Sequence, residues 1–181
     1  LLDTLMADSQ GISDLSGIEH CLNLKLLHLI GNDISQVDEL AGLVALYDLN
    51  LQGNHISDVS PLGSLSNLLF LQLTGNPVGD LSGLSSLTQL KLLAMTFIGT
   101  NNLQPLASLT ALEYLFASGN GISDLSPLSN CVHLKVLFAD LGAIQSLSPL
   151  SGLPELNTVS LKNNQIEDIS PLVNNTGLSA G

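Results

Sequence analysis

A single motif returns along this chain at a fixed interval of 22 residues. The branched aliphatic residue that closes the motif stands at Ile12, Ile34, Ile56, Val78, Ile122, Ile144 and Ile166. The one gap of 44 residues, from Val78 to Ile122, has Thr100 at its midpoint. A fixed period of this length is typical of solenoids, in which each repeat packs only against its neighbours. No single repeat is expected to fold alone.

The motif itself predicts one short β-strand per repeat. It has the form LxxLxLxxNxI, seen in LKLLHLIGNDI (24–34), LYDLNLQGNHI (46–56) and LLFLQLTGNPV (68–78). Two leucines that are two positions apart, such as Leu27 and Leu29, point to the same face of a strand. Stacking equivalent strands in parallel at about 4.8 Å per repeat would bury these leucines in a continuous core.

An asparagine column follows the strands. Its members are Asn32, Asn54, Asn76, Asn120 and Asn164. An amide side chain at this turn is expected to bond backbone groups that the turn leaves unpaired, so the column is interpreted as a structural ladder. Gln10, Ile98 and Gly142 interrupt it. Irregular turns are expected there, above all in MTFIGTNN (95–102).

The second half of each repeat contains SPL or SGL, as at Ser60-Pro61 and Ser126-Pro127. A serine N-cap followed by proline at the first helical position predicts a helix start. Leucines then recur every three residues, as in LSGLSSL (81–87). A period of three favours 3₁₀ turns over a long α-helix.

These motifs resemble the leucine-rich repeats of the 22-residue class, known from bacterial internalins and from a eukaryotic protein phosphatase regulator. The resemblance covers essentially the whole chain. It implies an α/β repeat fold, a right-handed solenoid with a parallel concave β-sheet and convex 3₁₀ or irregular turns. We expect one domain over 1–181 with about eight repeats, both ends of which cut through the repeat pattern, the second at 178–181.

Three columns of side chains are expected to face outward from the concave sheet, and together they define the concave face. The first is Thr4, Leu26, Asp48, Phe70, Leu92, Tyr114, Val136 and Thr158. The second is Met6, His28, Asn50, Gln72, Ala94, Phe116, Phe138 and Ser160. The third is Asp8, Ile30, Gln52, Thr74, Thr96, Ser118, Asp140 and Lys162.

Four of the six aromatic residues fall in the first two columns. We call the set Phe70, Leu92, Tyr114, Phe116, Val136 and Phe138 the apolar patch. Asp48, Asn50 and Gln52 border it on one side and Thr158, Ser160 and Lys162 on the other, and His28 is a further candidate contact residue. An apolar centre with a polar rim is typical of a protein interface. The interpretation as a partner-binding face is favoured over mere shielding of the sheet backbone, and Phe97, from the irregular turn at 95–102, is a further candidate member.

No residue constellation predicts catalysis, a cofactor or a metal. Cys21 and Cys131 share a leucine column five repeats apart, so they are expected to be free, buried thiols. The aspartates of the IxDL motif (Asp14, Asp58, Asp80, Asp124 and Asp168) are interpreted as local backbone acceptors, with a calcium stripe as the weaker alternative. His28 and Asp48 are expected to form a polar surface contact. Residues 174–176 form a glycosylation sequon.

Charge and hydropathy limit the partners. The net charge is −12, with four lysines and no arginine. Nothing in this composition neutralises a phosphate backbone, so nucleic acid is excluded as a partner. No apolar run reaches the length of a membrane span, so no membrane insertion is expected.

The function predicted from the sequence is a non-enzymatic scaffold that binds a protein ligand on the concave face. The alternatives are a recognition or self-assembly domain of a larger multidomain protein, with self-association possible, and an intracellular adaptor or regulatory subunit. The resemblance to internalins implies an extracellular or cell-surface location, and the resemblance to the phosphatase regulator implies a cytoplasmic one.

Overall fold

Eight parallel strands form one sheet in the computed structural model, which describes residues 2–173 and 175. The strands are Thr4–Met6 (β1), Leu26–His28 (β2), Asp48–Asn50 (β3), Phe70–Gln72 (β4), Leu92–Ala94 (β5), Tyr114–Phe116 (β6), Val136–Phe138 (β7) and Thr158–Ser160 (β8). Their order in the sheet follows the chain from β1 to β8. The parallel repeat solenoid expected from the sequence is therefore confirmed.

Each residue of a strand pairs with the residue 22 positions later. Leu27 lies beside Leu49, and Leu93 beside Leu115. The register continues unbroken through residues 95–102, where irregularity was expected. Ile98 and Thr100 are both buried there, so they occupy the inward positions that Asn and Ile hold elsewhere. The substitutions change the turn chemistry without disturbing the sheet.

The return half of each repeat is a 3₁₀ turn, as the three-residue leucine period indicates. These helices are Ile18–His20, Asp38–Leu40, Ser60–Ser64, Ser82–Leu84, Gln104–Ser108, Ser126–Asn130 and Ser148–Leu150. A one-turn α-helix (α1) follows at Ser170–Val173. In the described part of the chain, every helix is far too short to cross a bilayer.

The helix starts differ from the predicted serine caps. In Ser60–Ser64, Ser60 is the first helical residue, Pro61 is the second, and no side chain caps the helix from the preceding Val59. Instead, the Ser60 N–H donates to Asp58 Oδ1 at 2.8 Å. The prediction was wrong because a carboxylate two residues upstream, a stronger acceptor than a serine hydroxyl, is already positioned by the turn.

The inward leucines form one continuous core. Leu112 and Leu115 are fully buried and Ala117 nearly so, while Tyr114 and Phe116 between them lie on the other side of the strand. Equivalent leucines in neighbouring repeats stack on them throughout the solenoid. Burial of each such side chain contributes about 1.5–3 kcal/mol.

The asparagine column ties each turn to the preceding repeat. Asn54 Oδ1 accepts the N–H of Ile34 at 3.0 Å, and its Nδ2 donates to the carbonyls of Leu29 and Leu51, both at 2.9 Å. Asn76 repeats this set with Ile56, Leu51 and Leu73. Each amide thus satisfies backbone groups of two successive repeats, which would otherwise be buried without partners.

Candidate protein-binding face

The six side chains of the apolar patch lie on adjacent strands of one sheet face. The strand register places Phe70, Leu92, Tyr114 and Val136 in one row and Phe116 and Phe138 in the next. All six are half-buried rather than fully exposed. Side chains on neighbouring strands about 4.8 Å apart cover part of one another, which accounts for this partial burial.

Phe116 and Phe138 form the best-defined contact of the patch. Their ring centroids lie 5.4 Å apart and their planes are inclined by 85°, an edge-to-face pair. Such pairs contribute about 0.5–1.5 kcal/mol beyond the area that they bury. The contact also fixes the two rings, so little rotamer freedom remains to be lost when a partner binds.

The polar margin on the side of the first repeats is only partly available to a partner. His28 Nε2 lies 3.2 Å from Asp48 Oδ1, the contact expected from their columns. Asn50, by contrast, is 5% exposed, and its Oδ1 accepts the N–H of Gln52 at 3.1 Å. Asn50 therefore supports the strand end and presents little surface to a ligand.

The opposite margin is an ordered polar cluster. Asp140 Oδ1 accepts the Ser160 hydroxyl and the Lys162 N–H, both at 2.7 Å. Thr158 is exposed beside them. Because its bonds run between neighbouring repeats, this margin is held in place by the solenoid itself.

A row of alternating charges, which the sequence interpretation missed, lines the edge of the sheet where the strands begin. Glu113 lies between two lysines, 3.2 Å from Lys91 Nζ and 2.7 Å from Lys135 Nζ. Hydrogen bonds from Lys135 and Lys91 lower the pKa of Glu113. Glu155 extends the row, 2.7 Å from His133 and 3.8 Å from Lys135. The 22-residue spacing of Lys91, Glu113 and Lys135 is the sequence feature that predicts this row.

The IxDL aspartates bond their own turns. Asp124 accepts the N–H and the hydroxyl of Ser126, both at 2.8 Å, and Asp168 does the same with Ser170. The backbone N–H bond, followed by the hydroxyl bond, lowers the pKa of each carboxyl. Their oxygens thus face the local backbone, as the first interpretation of this column proposed.

The two thiols are free but differ in burial. Cys131 is fully buried, and burial raises its pKa to about 11. Cys21, which follows the helical turn Ile18–His20, is only half-buried, contrary to expectation.

No three His, Cys, Asp or Glu side chains of the described residues lie together in a way that would hold a metal ion. The predicted glycosylation sequon falls outside the described residues at Asn174 and Thr176, as does the partial strand expected at 178–181.

The fold has close counterparts among solved proteins. A family model described as leucine-rich repeats in two copies matches residues 48–86. Internalin C2 of Listeria monocytogenes superposes with a TM-score of 0.95 at 38% identity, over 97% of this chain and 77% of that protein. The chain belongs to the internalin family of leucine-rich-repeat proteins. The search of curated protein sequences found no match.

Other internalins share the architecture over longer chains. Internalin F of Listeria monocytogenes has a TM-score of 0.89 at 30% identity, over 98% of this chain and 59% of its own. The functional domain of InlJ from the same species, which includes a cysteine ladder, has a TM-score of 0.83 at 26% identity, over 97% of this chain and 38% of its own. This chain therefore spans only part of the length of these two internalins.

Proposed function

We propose that this internalin-type chain is a non-enzymatic scaffold whose concave face binds a protein ligand through the apolar patch. The observation that carries the proposal is the edge-to-face pair of Phe116 and Phe138, next to Tyr114 on the same strand as Phe116. The core does not require these rings, because Leu115 and Leu137 already fill the inward positions of the same strands. Aromatic side chains set in a polar margin are the usual anchors of protein interfaces.

The rigidity of the face supports the same function. Every strand is hydrogen-bonded to the next, and the asparagine column and the core hold the turns behind them. A preformed surface loses little conformational entropy on association, which leaves more of the contact energy for affinity.

The likeness to internalins favours an extracellular or cell-surface location, with a cytoplasmic adaptor as the alternative. The test is antibody labelling of an epitope tag fused to the chain. Labelling of intact cells of the source organism would support the extracellular or cell-surface location. Labelling only after the cells are lysed would support the cytoplasmic alternative.

Photo-crosslinking tests the ligand-binding face. A photoreactive phenylalanine at position 116 is compared with one at position 86, where the Ser86 hydroxyl bonds Gly63 on the convex side. We expect position 116 alone to capture a protein from the surface of cells that the source organism meets. Equal capture from both positions would contradict the proposal.

The captured protein is then purified and its affinity measured. Phe116→Asp is expected to weaken binding by about 30-fold or more, the effect of losing a contact worth about 2 kcal/mol. The matched control is Val132→Asp, which adds the same charge at an exposed apolar residue outside the three columns of the concave face. An equal loss in the control would show that net charge, not the apolar patch, governs binding.

A further inference from the structure

The turn after each strand carries a feature outside the three columns of the concave face. Positions 22 residues apart there all have a positive φ, and we call them the turn column: Ser9, Gly31, Gly53, Gly75, Phe97, Gly119, Leu141 and Asn163. Glycine, asparagine and small polar residues suit this left-handed conformation. Phe97, at φ 54°, and Leu141, at φ 60°, do not.

The core does not account for these two residues. Phe97 is 61% exposed and Leu141 is 48% exposed, so neither fills an interior gap. Bulky residues at positive φ are genuine outliers, and backbone strain of this kind concentrates at functional sites. Phe97 is also the most exposed aromatic side chain among those that the structure describes.

The Phe97 ring is held in place by the next repeat. It lies against the backbone of Gly119, so closely that a Cβ at Gly119 would be 2.1 Å from Phe97 Cε1. Because the ring already rests on Gly119, we expect it to lose little conformational entropy when a ligand binds beside it.

A groove of about 530 Å³ runs beside this ring along the turns. Gly53, Gly75 and Pro77 line it together with Phe97, and His55 lies at the end away from the ring. Glycines in its floor allow another polypeptide backbone to come close. At the far end, His55 Nε2 is 3.6 Å from Asp33 Oδ1.

The repeats that supply most of the groove have an excess of acidic residues. From residue 26 to residue 90 the sequence has no lysine or arginine, and it carries Asp33, Asp38, Glu39, Asp48, Asp58 and Asp80. Such a field attracts cationic segments and repels anionic ones. It also disfavours a second copy of this chain, whose net charge is −12.

We propose that this groove is a second docking surface, separate from the concave face, for an extended basic segment of a protein partner. An apolar side chain of the segment packs on Phe97, and a lysine or arginine reaches Asp33. The two ends are three repeats apart, about 14 Å at strand spacing. An extended chain covers that distance in about four residues, which sets the spacing of the two recognised side chains.

The test is selection from a display library of random 12-residue peptides on the folded chain, with counter-selection on Phe97→Gly. Glycine occupies the same position in four other turns, so this variant keeps the backbone. We expect the selected peptides to carry a basic residue about four positions from an apolar one. Their affinity should fall about 10-fold in Phe97→Gly and about 3-fold in Asp33→Asn, and it should weaken with added salt.

Two variants separate this surface from its neighbours. Leu141→Gly, in the same column but two repeats beyond Phe97 and not part of the groove lining, and Phe116→Asp, on the concave face, are expected to bind the peptides like the unaltered chain. Amide shifts in NMR spectra should map to Gly53, Gly75 and Phe97. Loss of peptide binding in Phe116→Asp would overturn the proposal without touching the concave-face function.

Other outcomes also contradict it. Selection of neutral or acidic peptides would show that the negative charge of the chain does not determine which peptides bind. If every selected peptide binds Phe97→Gly as tightly as the unaltered chain, the ring is not part of a binding site. A dimer in analytical ultracentrifugation that disappears in Phe97→Gly would assign the groove to a second copy instead.

Discussion

Phe116 and Phe138, on neighbouring strands, meet edge to face with ring centroids 5.4 Å apart. They are equivalent residues of successive repeats, so the contact exists only because the strands pair with a 22-residue register. Each ring follows directly after a fully buried leucine, Leu115 or Leu137. The strand therefore places residues of similar hydropathy in opposite roles, one for the core and one for the surface.

Substitutions at Leu115 and Phe116 are expected to separate these roles. Leu115→Asp buries an unpaired carboxylate in the core and should lower the free energy of unfolding by more than about 4 kcal/mol. Phe116→Asp loses mainly the ring pair and should cost about 1–2 kcal/mol. Urea denaturation followed by circular dichroism measures both. Equal destabilisation would mean that the assigned register of β6 is wrong.

The period predicted most of the fold. Because 22-residue spacing and the leucine positions determine strand pairing, Tyr114 and Phe116 could be placed on the concave face from the sequence alone. The same argument predicted the contact between His28 and Asp48. Their role in binding a ligand stays a prediction, since no property of a repeat pattern identifies a partner.

Local details were less predictable. Serine and proline before a helix suggested a serine cap, but Asp58 two residues earlier takes the N–H. Asn50 looked like a surface amide, although it is only 5% exposed and accepts the N–H of Gln52. The direction of the Phe97 side chain depends on the positive φ of that residue, and a positive φ cannot be predicted from the sequence at a non-glycine position. These features depend on competing acceptors and backbone geometry within one turn.

Asn54 and Asn50 provide a matched pair of buried amides. Asn54→Ala leaves the Ile34 N–H and the Leu29 carbonyl without their partner, so we expect a loss of about 3 kcal/mol in the free energy of unfolding. Asn50→Ala removes one bond to Gln52, and a loss near 1 kcal/mol is expected. Both are measured by urea denaturation. A larger effect at Asn50 would contradict the structural role of the asparagine column.

The contact of Phe97 with Gly119 predicts a coupling between two turns. Gly119→Ala adds a Cβ at φ 74° and pushes against the ring, so it should destabilise the chain by about 2–3 kcal/mol. In the Phe97→Gly background only the backbone strain remains, about 1–2 kcal/mol. A double-mutant cycle from thermal or urea unfolding gives the difference. Additive effects would show that the ring does not lie over Gly119 in solution.

The aspartates that start the helical turns predict a loss of stability in acid. Hydrogen bonds from Ser126 and Ser170 lower the pKa of Asp124 and Asp168 in the folded chain. Their stabilisation is therefore complete above the unfolded pKa, about 3.9, and is lost as the pH falls through the folded pKa.

The double variant Asp124→Asn and Asp168→Asn tests this expectation. An amide oxygen still accepts the turn N–H, as Asn102 does from Gln104 at 2.9 Å. The melting temperature of the variant should fall less steeply than that of the unaltered chain between pH 5 and pH 2.5, a range chosen to bracket the carboxyl titration. Parallel curves would mean that these two carboxylates do not contribute to acid unfolding.

The two thiols predict a reaction in two phases. At pH 8, a thiol-reactive disulfide reagent should modify half-buried Cys21 readily in the folded chain. Cys131 should react only on unfolding, because it is enclosed and because a pKa of about 11 leaves almost no thiolate at that pH. Cys21→Ser should abolish the fast phase and leave the slow one. A fast phase that survives in Cys21→Ser would mean that the Cys131 thiol reaches solvent without unfolding of the chain, which would contradict its burial.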